Sequence, residues 1–196
     1  AEGMAGAIRK VEMLKARSEN LIEFKQFENQ ANVEAHQLTT SVEIMEDTGG
    51  NVDALVCGVG TAGTITGIAS ALKSCIPDLY VMAVEPAESP VLSGGQKGAH
   101  RIGGIGAGFV PPLYRPELVD EVYKVSSKDA LDMTKIVAQN EGLPVGVSAA
   151  AALTAAINLA KRDEMAGKNI VVILPDSIER YLSDPYFNDE QVEAQD

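Results

Sequence analysis

The chain predicts an α/β fold, a mainly parallel, twisted sheet with helices on both faces. Two observations carry that expectation. Apolar runs without polar alternation, "ALVC", "LYVMAVEP" and "NIVVILP", are what strands buried on both faces require. Between them lie segments of helical periodicity, and strand–helix alternation of this kind builds parallel sheets. With 196 residues, 45% of them hydrophobic, the chain is long enough for one substantial core.

The elements follow in order. "GMAGAIRKVEMLKARS" sets Met4, Ala7, Ile8, Val11 and Leu14 on one face of an amphipathic helix. "LIEFKQF" reads as a short strand of mixed polarity. "NVEAHQLTTSVEIMED" reads as one helix through Val33, Leu38, Val42 and Met45, ended by Gly49 and Gly50. Asp53–Cys57 is expected as a strand, Thr64–Lys73 as a helix and "LYVMAVEP" as a buried strand. Residues 86–115 are rich in Gly and Pro and too long for a simple connection, and their apolar "IGAGFVPPLY" argues for order. "VDEVYKV" is a strand. Ser126 and Ser127 mark the start of a helix over Ser127–Glu141, and Gly142 marks its end. "VGVSAAAALTAAINLAKRD" opens a further helix, "NIVVILPDS" is the last strand, and "NDEQVEAQD" is a solvated acidic tail.

A net charge of −12 disfavours nucleic acid and anionic membranes, which need a basic footprint. An anionic ligand would have to be held by backbone N–H groups and hydroxyls. Cys57 and Cys75 lack metal spacing and read as reduced thiols, so no metal site is expected and a cytoplasmic setting is favoured. No run approaches the roughly 20 apolar residues of a membrane span, and the first residues carry charge where a signal peptide needs an apolar stretch.

Gly58-Val59-Gly60-Thr61-Ala62-Gly63 is a literal G-x-G-x-x-G between a strand and a helix. As a dinucleotide fingerprint it would use Glu85, at the end of the next strand, on a ribose hydroxyl. Against that, Pro86 follows Glu85 at once, and Thr61, Thr64 and Thr66 add hydroxyls that suit one phosphate monoester. The second reading is therefore a nest of N–H groups, Gly60 through Thr64, at a helix start. The third is a tight turn that binds nothing.

Six blocks in order, "QFENQANVEAH", "CGVGTAGTITG", "VEPAESPVLSGG", "GGIGAGFVP", "EGLPVGVSAAAA" and "VVILPDSIERYLSDPYF", resemble the cysteine synthases. These O-acetylserine sulfhydrylases belong to the tryptophan-synthase-β-like, fold type II class of pyridoxal-phosphate enzymes. The resemblance runs from about Glu2 to Phe187 and implies a three-layer α/β/α fold with pyridoxal 5'-phosphate as cofactor. It makes Gly60, Thr61, Ala62, Gly63 and Thr64 the phosphate cup, with Ala62 standing where the family has glycine. Ser177 matches the residue whose hydroxyl bonds the pyridine nitrogen, with Asp176 as competing candidate, and Gln26 matches a residue that helps hold the amino-acid substrate. Neither His36 nor His100 has a suggestive partner, and a structural or surface role is expected of both. Other departures are Gln30 and Val33 for proline, Gly103 for glutamine, "GVSAAAA" for G-I-S-S-G-A, and Ile178 for glycine.

The resemblance also implies a Schiff-base lysine in an S-x-K-[DN]-R block, and no such block occurs in this sequence. "SSKDA" imitates it, but Lys128 falls at a helix start and is expected on the surface. The expectation is accordingly the C-terminal part of an enzyme converting O-acetylserine and sulfide to cysteine and acetate. Residues 1–30 would finish a smaller mobile domain and 31–196 form the larger, cofactor-anchoring one. The expected assembly is a homodimer, completed in cis or by an N-terminal partner polypeptide, with serine acetyltransferase as a further partner by resemblance. A truncated product or a non-catalytic relative is the other reading of the missing block. Cystathionine β-synthase-like or dehydratase chemistry, and a dinucleotide-binding oxidoreductase, are the alternative activities.

Overall fold

The computed structural model describes residues 3–188. The elements are α1 (Gly3–Lys15), α2 (Gln30–Leu38), α3 (Thr40–Thr48), β1 (Ala54–Gly58), α4 (Gly63–Cys75), β2 (Tyr80–Pro86), β3 (Glu121–Val125), α5 (Ser127–Glu141), α6 (Val147–Ala160), β4 (Ile170–Val172) and α7 (Pro185–Asn188). The four strands form one sheet in the order β3-β2-β1-β4, and every pairing is parallel. Ala54 stands opposite Tyr80 on one side and Ile170 on the other, while Met82 faces Glu121.

The two-residue period of the central strands divides the core. Leu55, Cys57, Val81 and Ala83 pack under α4 with Ile65, Ile68 and Leu72. Ala54, Val56, Met82 and Val84 face the other way, against Leu131 of α5 and Val147, Ala151, Ala155 and Leu159 of α6. Helices therefore cover both faces, as the buried apolar strands require. The alanines of α6 carry little side-chain bulk, so the helix lies close over β1, β3 and β4. Among the described residues no helix is long and apolar enough to cross a membrane.

Three expectations need correction. "LIEFKQF" is not a strand. It has no regular structure before a turn at 26–28, and Ile22 and Phe24 are 87% and 82% exposed. The single helix expected from Val33 to Met45 is two, broken at Thr39. There the Thr39 hydroxyl donates back to the Ala35 carbonyl at 2.8 Å and its amide to the same oxygen at 3.0 Å, which closes α2. Leu38, in the same helix as the buried Val33 but not on its face, and Val42 of α3 both face solvent. β4 is shorter than expected, because it is an edge strand paired only to β1 and ends at Val172. The helix over Ser127–Glu141 matches its expected bounds: the Ser126 hydroxyl accepts from the Asp129 amide, and Gly142 closes it at φ 67°. All but the first residue of the acidic tail lies outside the described residues.

Residues 87–115 contain no helix or strand yet are ordered, with Ile102, Ile105 and Leu113 buried. Glu85, 1% exposed, holds the start of this segment by accepting from the amides of Leu92 (2.8 Å) and Ser93 (3.1 Å) and from the Ser93 hydroxyl.

On the far side, the Arg162 guanidinium grips Glu121 with two hydrogen bonds of 2.7 and 2.8 Å, and the Tyr80 hydroxyl donates to the same carboxylate. Arg162 foremost holds Glu121 below its ordinary value of 4.5. A carboxylate lowered in the folded state stabilises fully above its unfolded value and stops doing so as pH falls through the folded one. Glu121→Gln should therefore lose stability to urea at pH 7, and the gap from the parent should narrow as the pH is brought below 4.5. An equal gap at both ends would contradict the assignment.

Candidate cofactor site

The site is built where β1 ends and α4 begins. The chain turns sharply through residues 59–62, and the turn depends on close approaches. A Cβ on Gly60 would stand 2.3 Å from the Gly104 carbonyl oxygen, and one on Gly63 would strike the Asn32 side chain. Ala62 sits at φ 69°, ψ 0° as the residue before α4, with no side-chain cap. Only two non-glycine residues among those described have positive φ, Ala62 and Lys25. The methyl of Ala62 is tolerated at a strain of about 1 kcal/mol. Ala62→Gly should raise stability by up to about 1 kcal/mol, read by urea unfolding; a loss of stability would contradict the strain.

The cup is polar and positive without any lysine. Among the described residues, the amides of Ala62 and Thr64 find no acceptor inside the protein. The N-terminus of α4 adds the positive end of its dipole. The Thr61 hydroxyl oxygen accepts from the Asn32 side-chain amide at 2.9 Å and the Gly63 amide at 3.3 Å, which leaves its own proton to donate. The Thr64 hydroxyl is 3.0 Å from His36 Nε2, and His36 Nδ1 is 2.8 Å from the Thr40 hydroxyl. Burial lowers the His36 pKa below 6.5, so the imidazole supports the cup as a neutral ring. Thr66 points elsewhere, donating to the Leu113 carbonyl.

A cavity of about 500 Å³ opens beside the cup, walled by Gly103, Gly104, Ser148, Asp176 and Tyr181. A larger one of about 900 Å³ shares Gly60, Thr61 and the residues 103–105 with it, and Gln26 and Lys97 stand on its wall. The structure thus brings Gly60, Thr61, Ala62, Thr64 and Gln26 around connected space. Gly63 starts α4 behind them, against Asn32. Ser177 is not on the wall of the smaller cavity. It pairs with Val145 across an antiparallel bridge, and its neighbour Asp176 lines the cavity instead. Asp176 accepts from the amides of Ala149 (2.8 Å) and Ser148 (3.3 Å) at the start of α6 and from the Tyr181 hydroxyl. Burial, then Asp176, raises the Tyr181 pKa, so the phenol stays protonated as donor.

Asn32 and Tyr181 were not singled out by the sequence, and His36, expected in a structural or surface role, supports the Thr64 hydroxyl. Asn32 and His36 are four residues apart and so share one face of α2, the face against α4. That spacing, inside "QFENQANVEAH", was the legible signal. Glu85 is fully engaged by Leu92 and Ser93, so its carboxylate is not free to take a ribose hydroxyl. Lys128 is exposed and paired with Asp132. Among the described residues no cluster of His, Cys, Asp and Glu could hold a metal ion.

The model of the family "Pyridoxal-phosphate dependent enzyme" matches residues 1–176. The chain belongs to that family. The cysteine synthase of Staphylococcus aureus is 43% identical over 189 residues, which are 96% of this chain and 60% of that protein. Among solved structures, the cysteine synthase of Entamoeba histolytica superposes with a TM-score of 0.90 at 43% identity, covering 95% of this chain and 55% of that one. Isoform 3 of the O-acetylserine sulfhydrylase from the same organism gives 0.91 at 46%, covering 95% and 56%. The O-acetylserine-dependent cystathionine β-synthase of Helicobacter pylori gives 0.87 at 37%, covering 93% and 59%. The chain spans about 60% of the length of the curated relatives it matches. The cup fits the family's cofactor: two free amides, two hydroxyls and a helix N-terminus are the donor set for one phosphate group.

Proposed function

We propose that this chain is the cofactor-anchoring part of a cysteine synthase, which converts O-acetylserine and sulfide to cysteine and acetate. The observation that carries this is the turn at Gly60–Thr64, whose free amides and hydroxyls form a seat for a single phosphate. Bound pyridoxal 5'-phosphate would supply the electron sink that lets the substrate lose its α-proton and, from the β-carbon, acetate.

The protein's own residues orient that group. The amides of Ala62 and Thr64 and the hydroxyls of Thr61 and Thr64 hold the phosphate, with Asn32 and His36 fixing the hydroxyls from behind. Asp176 stands on the cavity wall and, with Ser177 beside it, is the pair from which the ring nitrogen's partner is drawn. Gln26, on the wall of the larger cavity, would help hold the substrate's carboxylate. The lysine that binds the cofactor's aldehyde is expected in an N-terminal part, in cis or on a partner polypeptide. By the same reading residues 1–30 complete the smaller domain, and the assembly is a cytoplasmic homodimer able to engage serine acetyltransferase.

A chimera tests this. Fused behind the N-terminal portion of the Staphylococcus aureus cysteine synthase that this chain does not match, it should release acetate from O-acetylserine and form cysteine when sulfide is added. A folded, cofactor-loaded chimera that releases no acetate would overturn the proposal.

A further inference from the structure

α2 lies against α4 at two glycines one turn apart. A Cβ on Gly63 would run into the Asn32 side chain, and one on Gly67 would stand 2.5 Å from the Val33 carbonyl oxygen and 2.7 Å from the His36 Cβ. That close approach carries His36 behind the cup. Its ring is held at both nitrogens by hydroxyls, Nε2 by Thr64 at 3.0 Å and Nδ1 by Thr40 at 2.8 Å. Thr40 is the first residue of α3, and among the described residues its hydroxyl makes no other hydrogen bond.

The protons available decide what these groups can do together. Burial favours the neutral imidazole, and a neutral ring has one N–H and one bare nitrogen. One hydroxyl must therefore accept from the ring while the other donates to it. Two arrangements satisfy this with the same atoms in place. In the first, the Thr64 hydroxyl donates to Nε2, and its proton points away from the cup. In the second, Nε2–H donates to the Thr64 oxygen, the Thr64 proton is free for an anion, and the bare Nδ1 accepts from Thr40. A phosphate in the cup requires the second.

We infer that Thr40 is a positioning residue for the cofactor's phosphate: acting through His36, it holds the ring in the Nε2–H tautomer and so turns the Thr64 proton into the cup. The inference rests on the phosphate-seat reading above. Going from the first arrangement to the second changes no net charge. One proton leaves Nδ1, one arrives at Nε2, and the two hydroxyls reverse direction. Without the Thr40 hydroxyl, the nitrogen that gives up its proton would have no donor inside the protein, and the second arrangement would lose one hydrogen bond.

Two measurements on the full chain test this. Nitrogen NMR of the imidazoles reads the tautomer directly and needs no variant. The chain has two histidines, and His100, whose Nε2 donates to the Gly106 carbonyl, serves as the internal reference. With pyridoxal 5'-phosphate bound, His36 should carry its proton on Nε2. Calorimetry then reads the effect on binding. Thr40→Val should weaken the cofactor about fivefold, the scale of one lost hydrogen bond, and Thr40→Ser should restore it. In a His36→Ala background, Thr40→Val should have no further effect, because its influence passes through the ring. A loaded parent with the His36 proton on Nδ1, or a Thr40→Val effect that persists without His36, would overturn the inference and leave the phosphate seat standing. If the parent binds no pyridoxal 5'-phosphate, the seat and the relay behind it fall together.

Discussion

Replacing Gly60 by alanine should cost at least about a hundredfold in affinity for pyridoxal 5'-phosphate. The reason is geometric. The new Cβ would lie 2.3 Å from the Gly104 carbonyl oxygen, so one backbone segment must move away from another. Neither is a flexible side-chain tip that can swing aside. A shift of about 1 Å in either misaligns the Thr61–Thr64 donors, and misplacement on that scale costs about a hundredfold where several groups must converge. Because Gly60 follows β1 rather than lying within it, the variant should keep its sheet. Titration with the cofactor, with circular dichroism to follow the fold, separates the two effects. Retained affinity in a folded variant would show that the turn does not form the phosphate seat.

Glu85→Ala should be the most damaging change remote from the cup. The carboxylate is buried and takes three hydrogen bonds from Leu92 and Ser93, tying the exit of β2 to the segment that roofs the cavity. Removing it strands the Leu92 and Ser93 amides and empties the space, a loss of about 3 kcal/mol. In a protein of this size that is a fall of roughly 6–12 °C in Tm. Glu85→Gln should recover part of this, since one amide oxygen still accepts. Equal stability of Glu85→Ala and the parent would contradict a structural role and restore Glu85 as a free ligand group.

The fold was legible because its strands are buried on both faces, and such strands announce themselves as continuous apolar runs. What sequence periodicity could not show was competition between hydroxyl groups and the backbone at Thr39, which split one expected helix into two. Nor could it show that "LIEFKQF" has no neighbouring strand, since pairing is decided by residues distant in the chain. The sharp turn before α4 was legible in Gly60–Thr64, and Ala62 has the positive φ that a glycine-requiring turn would impose on it. Its supporting layer was less so. His36 lacks a partner in sequence because Thr64 reaches it only after α2 packs on α4. The side chains of Asp176 and Ser177 diverge at an irregular exit from β4, where no period of two or of 3.6 predicts direction.

The central claim is that the start of α4 seats one phosphate monoester. The measurement that tests it most directly compares the binding of pyridoxal 5'-phosphate, of pyridoxal without its phosphate, and of a nicotinamide dinucleotide to the same protein by calorimetry. Tight binding of pyridoxal 5'-phosphate is predicted, with pyridoxal at least about a hundredfold weaker, since it forfeits several charge-assisted hydrogen bonds, and with no heat from the dinucleotide. Equal affinity for pyridoxal with and without its phosphate, or preferential binding of the dinucleotide, would contradict it.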